Sequence, residues 1–249
     1  MTSSSNRDAP FPDDKGIHDR RTFLLALGVL ALGATGCAPR TPGEGATAPV
    51  QPPTPTAPAA TDDLQAPEAD ALFSAIELRR SIRSFTGEAV SDEDIMRMLW
   101  AAQGITAPER GFRASPSAGA LYPLETYVAT AQGVRRYVPR THTLESVVDS
   151  DVRGRLAVAA LGQRFVAEAP AVFVITAVYA RSEVRYGDRA ARYVHMEVGH
   201  VGQNISLMAV HLGLGSVMVG AFIDEDVRHT IGAPAEESAL YIIPVGTPG

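Results

Sequence analysis

Arg79, Arg80 and Arg83 lie within five residues of one another and enclose the Ser81 hydroxyl. The planar guanidinium group suits bidentate contact with phosphate, and the hydroxyl adds a neutral hydrogen-bond donor. The cluster therefore predicts a phosphate-binding segment. A solvated basic surface is the alternative, because cations also stabilise the C-terminus of a helix.

A loop of small residues contains Pro116, Ser117, Ala118 and Gly119 and leads into an apolar stretch. Glycine and alanine let a flat ligand, or its phosphate, come close to the backbone. The loop is therefore a candidate ligand-binding segment, with an ordinary connecting loop as the alternative.

A second small-residue segment runs from Gly213 to Phe222. Gly213 and Gly215 are explained as a helix C-cap followed by a turn. Gly220 and Ala221 are not explained in this way, and they offer bare backbone N–H groups to a ligand edge.

The stretch Arg185–Arg189 clusters polar side chains just before a long apolar-patterned segment. It is a candidate for a catalytic role near the positive end of a helix. The alternative is a charged loop in which Asp188 serves as the N-cap.

The elements that must position these residues follow from hydrophobic periodicity. Apolar residues at spacings of three and four predict one long helix over about 189–212, and Ser91 resembles the start of another helix. We predict further helices over 70–80 and 224–232, and strands over 124–130, 172–178, 216–222 and 239–245. Helices and strands alternate without a clean β-α-β repeat, which predicts an α+β or mixed α/β domain.

Composition limits the class of protein. Lys and Arg number 22 against 28 Asp and Glu, a net charge of −6, so we predict no nucleic-acid partner. A single cysteine excludes an internal disulfide framework and a cysteine-based metal site. His195 and His200 lie on different faces of the predicted helix, so we predict no metal.

The N-terminal residues read as an export signal. Arg20-Arg21 precedes an apolar run that is too short to span a bilayer, and the pair looks like a twin-arginine signal. The residues before Cys37 look like a lipoprotein processing box, with Cys37 as the lipidated residue. A buried helix that happens to follow two arginines is the alternative.

Three segments follow from these features. We predict an export signal over 1–36, a proline-rich disordered linker over 37–68, which holds eight prolines, and one folded domain over 69–249. The protein is then expected in the cell envelope, lipid-anchored at a membrane surface with its domain outside the cytoplasm.

Together the candidate stretches resemble the FMN-dependent nitroreductase family, in particular its SagB/ThcOx-type dehydrogenase branch. The resemblance covers nearly all of residues 69–249. It rests on Arg79–Phe85, Ser117–Pro123, Arg185–Arg189, Arg192-Tyr193, Gly199-His200, Gln203-Asn204, Gly213–Gly215 and Pro244–Gly246. It implies an α+β fold with a nitroreductase-like mixed sheet flanked by helices, and a homodimer with FMN at the subunit interface.

The resemblance also implies roles by position. Its cofactor-binding residues are Arg79, Arg80, Ser81 and Arg83 at the FMN phosphate and ribityl, Pro116, Ser117, Ala118 and Gly119 along the flavin ring, and Gly220 and Ala221 facing N5. Arg83 is expected to reach the pyrimidine edge, where a cation stabilises the negative charge of reduced flavin. Some contacts should come from the second chain.

Tyr186 is the predicted catalytic residue, as a substrate contact or proton donor. Azoline-oxidising relatives carry a Lys-Tyr pair where this chain has Arg185-Tyr186. Because arginine stays protonated, this difference argues against azoline oxidation.

The leading hypothesis is an exported oxidoreductase that transfers hydride or electrons through FMN N5 in a ping-pong cycle. The substrate is a small molecule or peptide, and the sequence does not identify the electron donor. The alternative is a non-catalytic flavin- or ligand-binding lipoprotein.

Overall fold

A six-stranded sheet forms the centre of residues 69–249, the part of the chain that this computed structural model describes. Residues 69–249 contain eight strands, six of which form this sheet. They are β1 (Ile105–Ala107), β2 (Phe112–Arg113), β3 (Leu124–Thr130), β4 (Gly133–Val138), β5 (Thr143–Val148), β6 (Ala171–Ala177), β7 (Gly215–Ser216) and β8 (Ser238–Gly246). The sheet order is β5-β4-β3-β6-β8-β7, and β1 pairs separately with β2. The predictions for 1–36 and 37–68, including Cys37, lie outside the described residues.

Seven α-helices surround this sheet within the described range: α1 (Ala69–Leu78), α2 (Asp92–Gln103), α3 (Arg153–Ala159), α4 (Arg164–Glu168), α5 (Ala180–Tyr186), α6 (Ala190–His211) and α7 (Asp224–Thr230). Short 3-10 turns occupy Ala118–Ala120 and Gly187–Arg189. Among residues 69–249, no helix combines the length and apolar character needed to cross a membrane.

Strand β6 is buried on both faces, as its almost continuous apolar sequence predicts. Because successive side chains point to opposite faces of a strand, Val172 and Val174 join one core cluster and Phe173 and Ile175 join the other. The helices α3, α4 and α7 contribute to the first cluster, and α2 and α6 contribute to the second. Residues 69–249 are therefore built in three layers, with the sheet between two layers of helices.

The predicted α+β fold class, with helices flanking a central sheet, is confirmed. All pairings between the strands of the six-stranded sheet are antiparallel, so the sheet is antiparallel and not mixed as expected. One parallel bridge, between Ser81 and Ser216, brings the arginine segment to its edge.

The predicted strand over 216–222 is wrong in its length, because β7 ends at Ser216. The segment continues beside β8, where Val219 and Ile242 exchange hydrogen bonds of 2.8 and 3.0 Å. Val217 donates to the Pro244 carbonyl at 3.3 Å, but proline has no N–H to return the bond. The regular ladder is interrupted at that point.

Candidate active site

The arginine segment 79–86 is held on both sides by backbone hydrogen bonds. On one side, the Ile82 N–H donates to the Ser216 carbonyl at 3.0 Å. On the other, the Thr86 N–H donates to the Thr247 carbonyl at 3.0 Å. These bonds fix the segment between β7 and the residues after β8, so its side chains project from a defined backbone.

Gly215 allows this close approach. A Cβ on Gly215 would lie 2.8 Å from Cβ and Cγ1 of Ile82, closer than real side chains come. The interpretation of Gly215 as part of a helix cap is therefore wrong. Gly213, with φ of +75°, is the residue that follows the end of α6 in a left-handed conformation.

The arginines of the cluster differ in whether their side chains already make hydrogen bonds within the protein. Arg80 Nη1 donates to the carbonyls of Glu77 and Arg79 at 2.7 and 2.8 Å, so this side chain stabilises the end of α1. The Arg83 guanidinium lies 5.9 Å from the centre of the Phe165 ring. Within residues 69–249, the side chains of Arg79, Ser81 and Arg83 make no hydrogen bond or ion pair, which leaves their donors available to a ligand.

Gly220 and Ala221 continue the same edge. Both residues are exposed, and the Ala221 carbonyl accepts a 3.0 Å hydrogen bond from Gln163 Nε2. In the described part of the chain, neither backbone N–H donates to another protein group. The peptide is thus oriented by Gln163 with its N–H groups open.

The loop containing Pro116, Ser117, Ala118 and Gly119 lies against α5 and α6. Gly119 has a φ of +62°, and a Cβ placed there would lie 2.8 Å from Tyr186 Oη and 2.9 Å from Arg185 Nη1. The structure therefore brings the predicted ring-binding loop directly beside the predicted catalytic tyrosine.

The alternative that treated Arg185–Arg189 as a loop capped by Asp188 is wrong. Arg185 and Tyr186 are the last residues of α5, and α6 begins at Ala190 with no side-chain cap. The Tyr186 ring packs edge-on against Tyr193, with centroids 4.9 Å apart. This packing restricts where the Tyr186 hydroxyl can point.

Beneath the loop lies a polar cluster that the sequence did not identify. Arg113 Nη1 donates to Gln103 Oε1 at 2.8 Å, and its guanidinium lies 4.4 Å from the centre of the Tyr122 ring. The Arg113 N–H donates to Tyr122 Oη at 3.0 Å. Burial lowers the pKa of the Arg113 guanidinium, and Glu125 and other neighbours oppose this effect.

Glu197 is the other member that was missed. Its side chain comes from the buried side of α6 and the residue is only 3% exposed. Burial raises the pKa of its carboxyl to about 7, although hydrogen bonding to the Ser117 side chain and the charge of Arg113 act in the opposite direction. A polar residue among the buried positions of α6 was the available signal.

A cleft of about 230 Å³ separates the loop from α6. Its lining comprises Pro116, Ser117, Ala118, Tyr193, Met196, Glu197 and His200. His200 is exposed there, whereas His195 Nε2 lies 2.6 Å from Tyr179 Oη outside the cleft. Residues 69–249 contain no group of three or more metal-ligating side chains that could hold an ion.

Comparison with known proteins identifies the class of protein to which this fold and site belong. Residues 76–247 match the nitroreductase family, and the chain belongs to that family. A candidate nitroreductase of Methanocaldococcus jannaschii is 44% identical over 194 residues, covering 75% of this chain and 96% of that protein.

Solved structures agree with this assignment. A candidate nitroreductase from Ralstonia eutropha is similar with a TM-score of 0.66 and 26% identity, over 72% of this chain and 83% of its own. A second, from Anabaena variabilis, has a TM-score of 0.64 and 31% identity, over 72% of this chain and 38% of its own.

Proposed function

We propose that this nitroreductase-family oxidoreductase uses FMN and belongs to the SagB/ThcOx-type dehydrogenase branch. We further propose that it acts as a homodimer outside the cytoplasm on a small-molecule or peptide substrate. The observation that carries the proposal is the contact between Gly119 and the side chains of Arg185 and Tyr186. A ring-binding loop and a phenol that can exchange a proton are thereby adjacent.

The donor set fits FMN in its chemistry. Arg79 and Arg83 supply cations and Ser81 a hydroxyl, as a phosphate and a ribityl chain require. The exposed N–H groups of Gly220 and Ala221 suit the polar edge of a flat ring. When bound, FMN would supply hydride or electron transfer at N5, alternating between a donor and an acceptor.

The roles of the protein residues follow from their positions. Gly119 lets a ring lie close to the backbone, because no side chain projects from it. Tyr186 holds a proton at Oη, beside the guanidinium of Arg185. Since arginine keeps its charge, Arg185 stabilises negative charge and does not serve as the base, which favours substrates other than azolines.

Two observations support a homodimer. The arginine segment packs beside β7, whereas the 116–119 loop packs on α5 and α6, so the two halves of the proposed flavin site have different neighbours within one chain. Helix α1 also exposes Phe73 at 77%, together with Leu72 and Ile76. Large exposed apolar residues favour a protein interface.

Export and lipidation rest on Arg20-Arg21 and Cys37. The family match begins at residue 76, and 75% of this chain suffices to cover 96% of the Methanocaldococcus relative. Arg20-Arg21 and Cys37 thus lie outside the family match, which supports a separate role for the N-terminal residues.

An anaerobic reduction titration of the purified full chain tests the proposal. We expect a yellow protein whose visible flavin band is bleached by a suitable donor, such as a quinol or a redox protein, and restored by an acceptor. A colourless protein that does not take up added FMN would overturn flavin dependence. A yellow protein that no donor reduces would favour the alternative of a non-catalytic flavin-binding lipoprotein.

A further inference from the structure

The loop that faces Tyr186 has a strained backbone. Ala120 and Tyr122 have φ values of 54° and 47°, in the left-handed region that side chains other than glycine avoid. Such conformations cost on the order of 1–3 kcal/mol each and persist only where the surrounding structure enforces them. Specific contacts must therefore hold this loop.

Tyr122 is fixed at both ends. Its N–H donates to Ser117 Oγ at 2.9 Å, and its hydroxyl accepts the Arg113 N–H at 3.0 Å. Because Ser117 Oγ accepts from Tyr122, its own proton is available to a second acceptor. An acceptor for the Ser117 proton would therefore fix the Ser117 side chain, and with it the loop to which Ser117 belongs.

The carboxyl of Glu197 is placed to receive it. Ser117 and Glu197 line the same cleft, and the nearby Ser117 side chain acts to lower the pKa of the Glu197 carboxyl against the effect of burial. Glu197 Oε1 is fully buried and has no hydrogen-bond partner within the described residues. A carboxyl with so few partners is costly to bury, so a purely structural reason for its presence is weak.

We propose that Glu197 is a positioning residue, which accepts the Ser117 hydroxyl and thereby fixes the 116–119 loop against Tyr186. Its relevance to catalysis rests on the proposed function, whereas its effect on the loop does not. The chain of contacts runs from Glu197 through Ser117 to the Tyr122 backbone. Loss of the carboxyl should release the strained loop.

The stability of the closed 116–119 loop should also depend on pH. The charged or titratable groups around Glu197 are Arg113 from β2, and Tyr193 and His200 from its own helix α6. Burial raises the pKa of Glu197 from 4.5 to about 7, so the closed loop binds this proton more tightly than an open, solvated one. Opening of the loop should become easier as pH rises across that interval.

Hydrogen–deuterium exchange at the Tyr122 amide tests this in the flavin-free full chain. In Glu197→Ala we expect exchange at Tyr122 to become about tenfold faster, as for loss of one hydrogen bond. Glu197→Gln keeps a hydrogen-bond acceptor, so the Tyr122 amide should stay protected in this variant. Because glutamine cannot ionise, the exchange rate of that amide, corrected for intrinsic exchange, should no longer depend on pH. Tyr122 protection that is unchanged in Glu197→Ala would overturn the proposal, whereas Ser117→Ala, which removes the acceptor of the Tyr122 N–H itself, shows how large the effect of losing that bond is.

Two control variants separate other causes. Glu168→Gln removes a carboxylate that pairs with Arg164 on the surface and should leave Tyr122 exchange unchanged. His200→Asn removes the imidazole from the cleft, and persistence of the pH dependence in it assigns that dependence to Glu197. If Glu197→Ala does not fold, Glu197→Gln still decides the outcome: a pH dependence of Tyr122 exchange that is the same as in the wild type would overturn the proposal.

A flavin measurement distinguishes this proposal from the proposed function. If the wild-type chain binds FMN, Glu197→Ala should shift the flavin absorption and circular dichroism bands and lower kcat more than it raises KM, with Glu197→Gln restoring the spectrum. If the wild-type chain binds no FMN, the proposed function is wrong, whereas the exchange measurement on the flavin-free chain still tests the role of Glu197 in positioning the loop.

Discussion

A Cβ added to Gly119 would lie 2.8 Å from the hydroxyl oxygen of Tyr186. The two residues come from distant parts of the chain, the loop before β3 and the last turn of α5. The approach requires glycine, both for space and for the φ of +62° at that position. A ligand lying along the loop would thus meet the phenol with no intervening side chain.

Gly119→Ala should lower turnover with a modest loss of stability. The atoms that a Cβ would meet, Tyr186 Oη and Arg185 Nη1, are ends of side chains and can move away, so the change displaces the proposed catalytic pair. The left-handed backbone alone costs about 1 kcal/mol. Turnover and urea unfolding of the same preparation measure the two effects.

Gly111→Ala is the matched control, because Gly111 has a φ of +67° and open space around it. We expect a similar stability loss in this variant and unchanged turnover. Equal turnover in the two variants would mean that displacing Arg185 and Tyr186 has no catalytic consequence.

Tyr186→Phe should reduce kcat while leaving the flavin spectrum intact. The edge-on packing with Tyr193, at 4.9 Å between centroids, needs only the ring and is kept by phenylalanine. The hydroxyl that we assign to substrate contact or proton donation is lost. Tyr193→Phe is the comparison: it removes the hydroxyl that accepts from Arg189 Nε at 2.9 Å and should affect kcat little. Unchanged kcat in Tyr186→Phe with several substrates would remove Tyr186 from the reaction.

Arg79→Ala and Arg83→Ala should each weaken FMN binding by about 1.5–3 kcal/mol, as for a lost charge-assisted hydrogen bond. Arg80→Ala should weaken it less, since Arg80 already bonds to carbonyls at the end of α1. Flavin affinity measured by fluorescence quenching ranks the three. Arg97→Ala, which breaks a surface pair with Glu93, should leave affinity unchanged. Full flavin occupancy in both Arg79→Ala and Arg83→Ala would identify the cluster as ordinary basic surface.

Local patterns predicted the elements with the strongest periodicity. Strand β3 spans 124–130 as predicted, and the helix predicted over about 189–212 forms as α6, Ala190–His211. Ser91 caps α2 by accepting the Asp94 N–H at 3.0 Å. These features depend on residues near one another in the chain, so the sequence contains the necessary information.

Features that depend on distant neighbours were not predictable from one sequence. Strand β5 carries Glu145 and Ser146 on largely exposed positions and lacks the apolar alternation that marks a strand. The role of Gly215 depends on Ile82, which only the fold brings alongside. Glu197 was overlooked because the helical pattern was traced through its apolar residues, and Ser117 lies 80 positions away.

Glu237 should make the domain less stable as pH rises. Thr176 and Tyr127 donate to its carboxyl, with both Tyr127 distances at 3.0 Å, yet burial raises its pKa above the ordinary 4.5. The folded state therefore binds this proton more tightly than the unfolded state, so the contribution is present below pH 4.5 and is lost as pH rises through the folded pKa.

Urea unfolding of the full chain in mildly acidic and mildly alkaline buffer measures this effect. Glu237→Gln keeps an acceptor for Thr176 and Tyr127 but cannot ionise, so its unfolding free energy should fall less with pH than that of the wild type. Identical pH dependence in the two proteins would show that Glu237 has the same proton affinity when folded and unfolded.

Arg20-Arg21 should direct export of the protein after it has folded. A twin-arginine signal implies transport of a folded protein, and the proposed cofactor gives a physical reason for that route. FMN is made in the cytoplasm, and its binding stabilises the native state by mass action, so loading is best completed before export. Folding in the cytoplasm also agrees with the single cysteine, since no disulfide is needed.

Replacing Arg20-Arg21 with Lys-Lys in the native host tests this order. Flavin-loaded protein should then accumulate in the cytoplasmic fraction, because the change keeps both positive charges and removes only the arginine pair. Cys37→Ser, made separately, should leave translocation intact and release the domain from the membrane fraction. If the Lys-Lys variant still reaches the membrane with FMN bound, the twin-arginine interpretation is wrong and a general secretory signal must replace it.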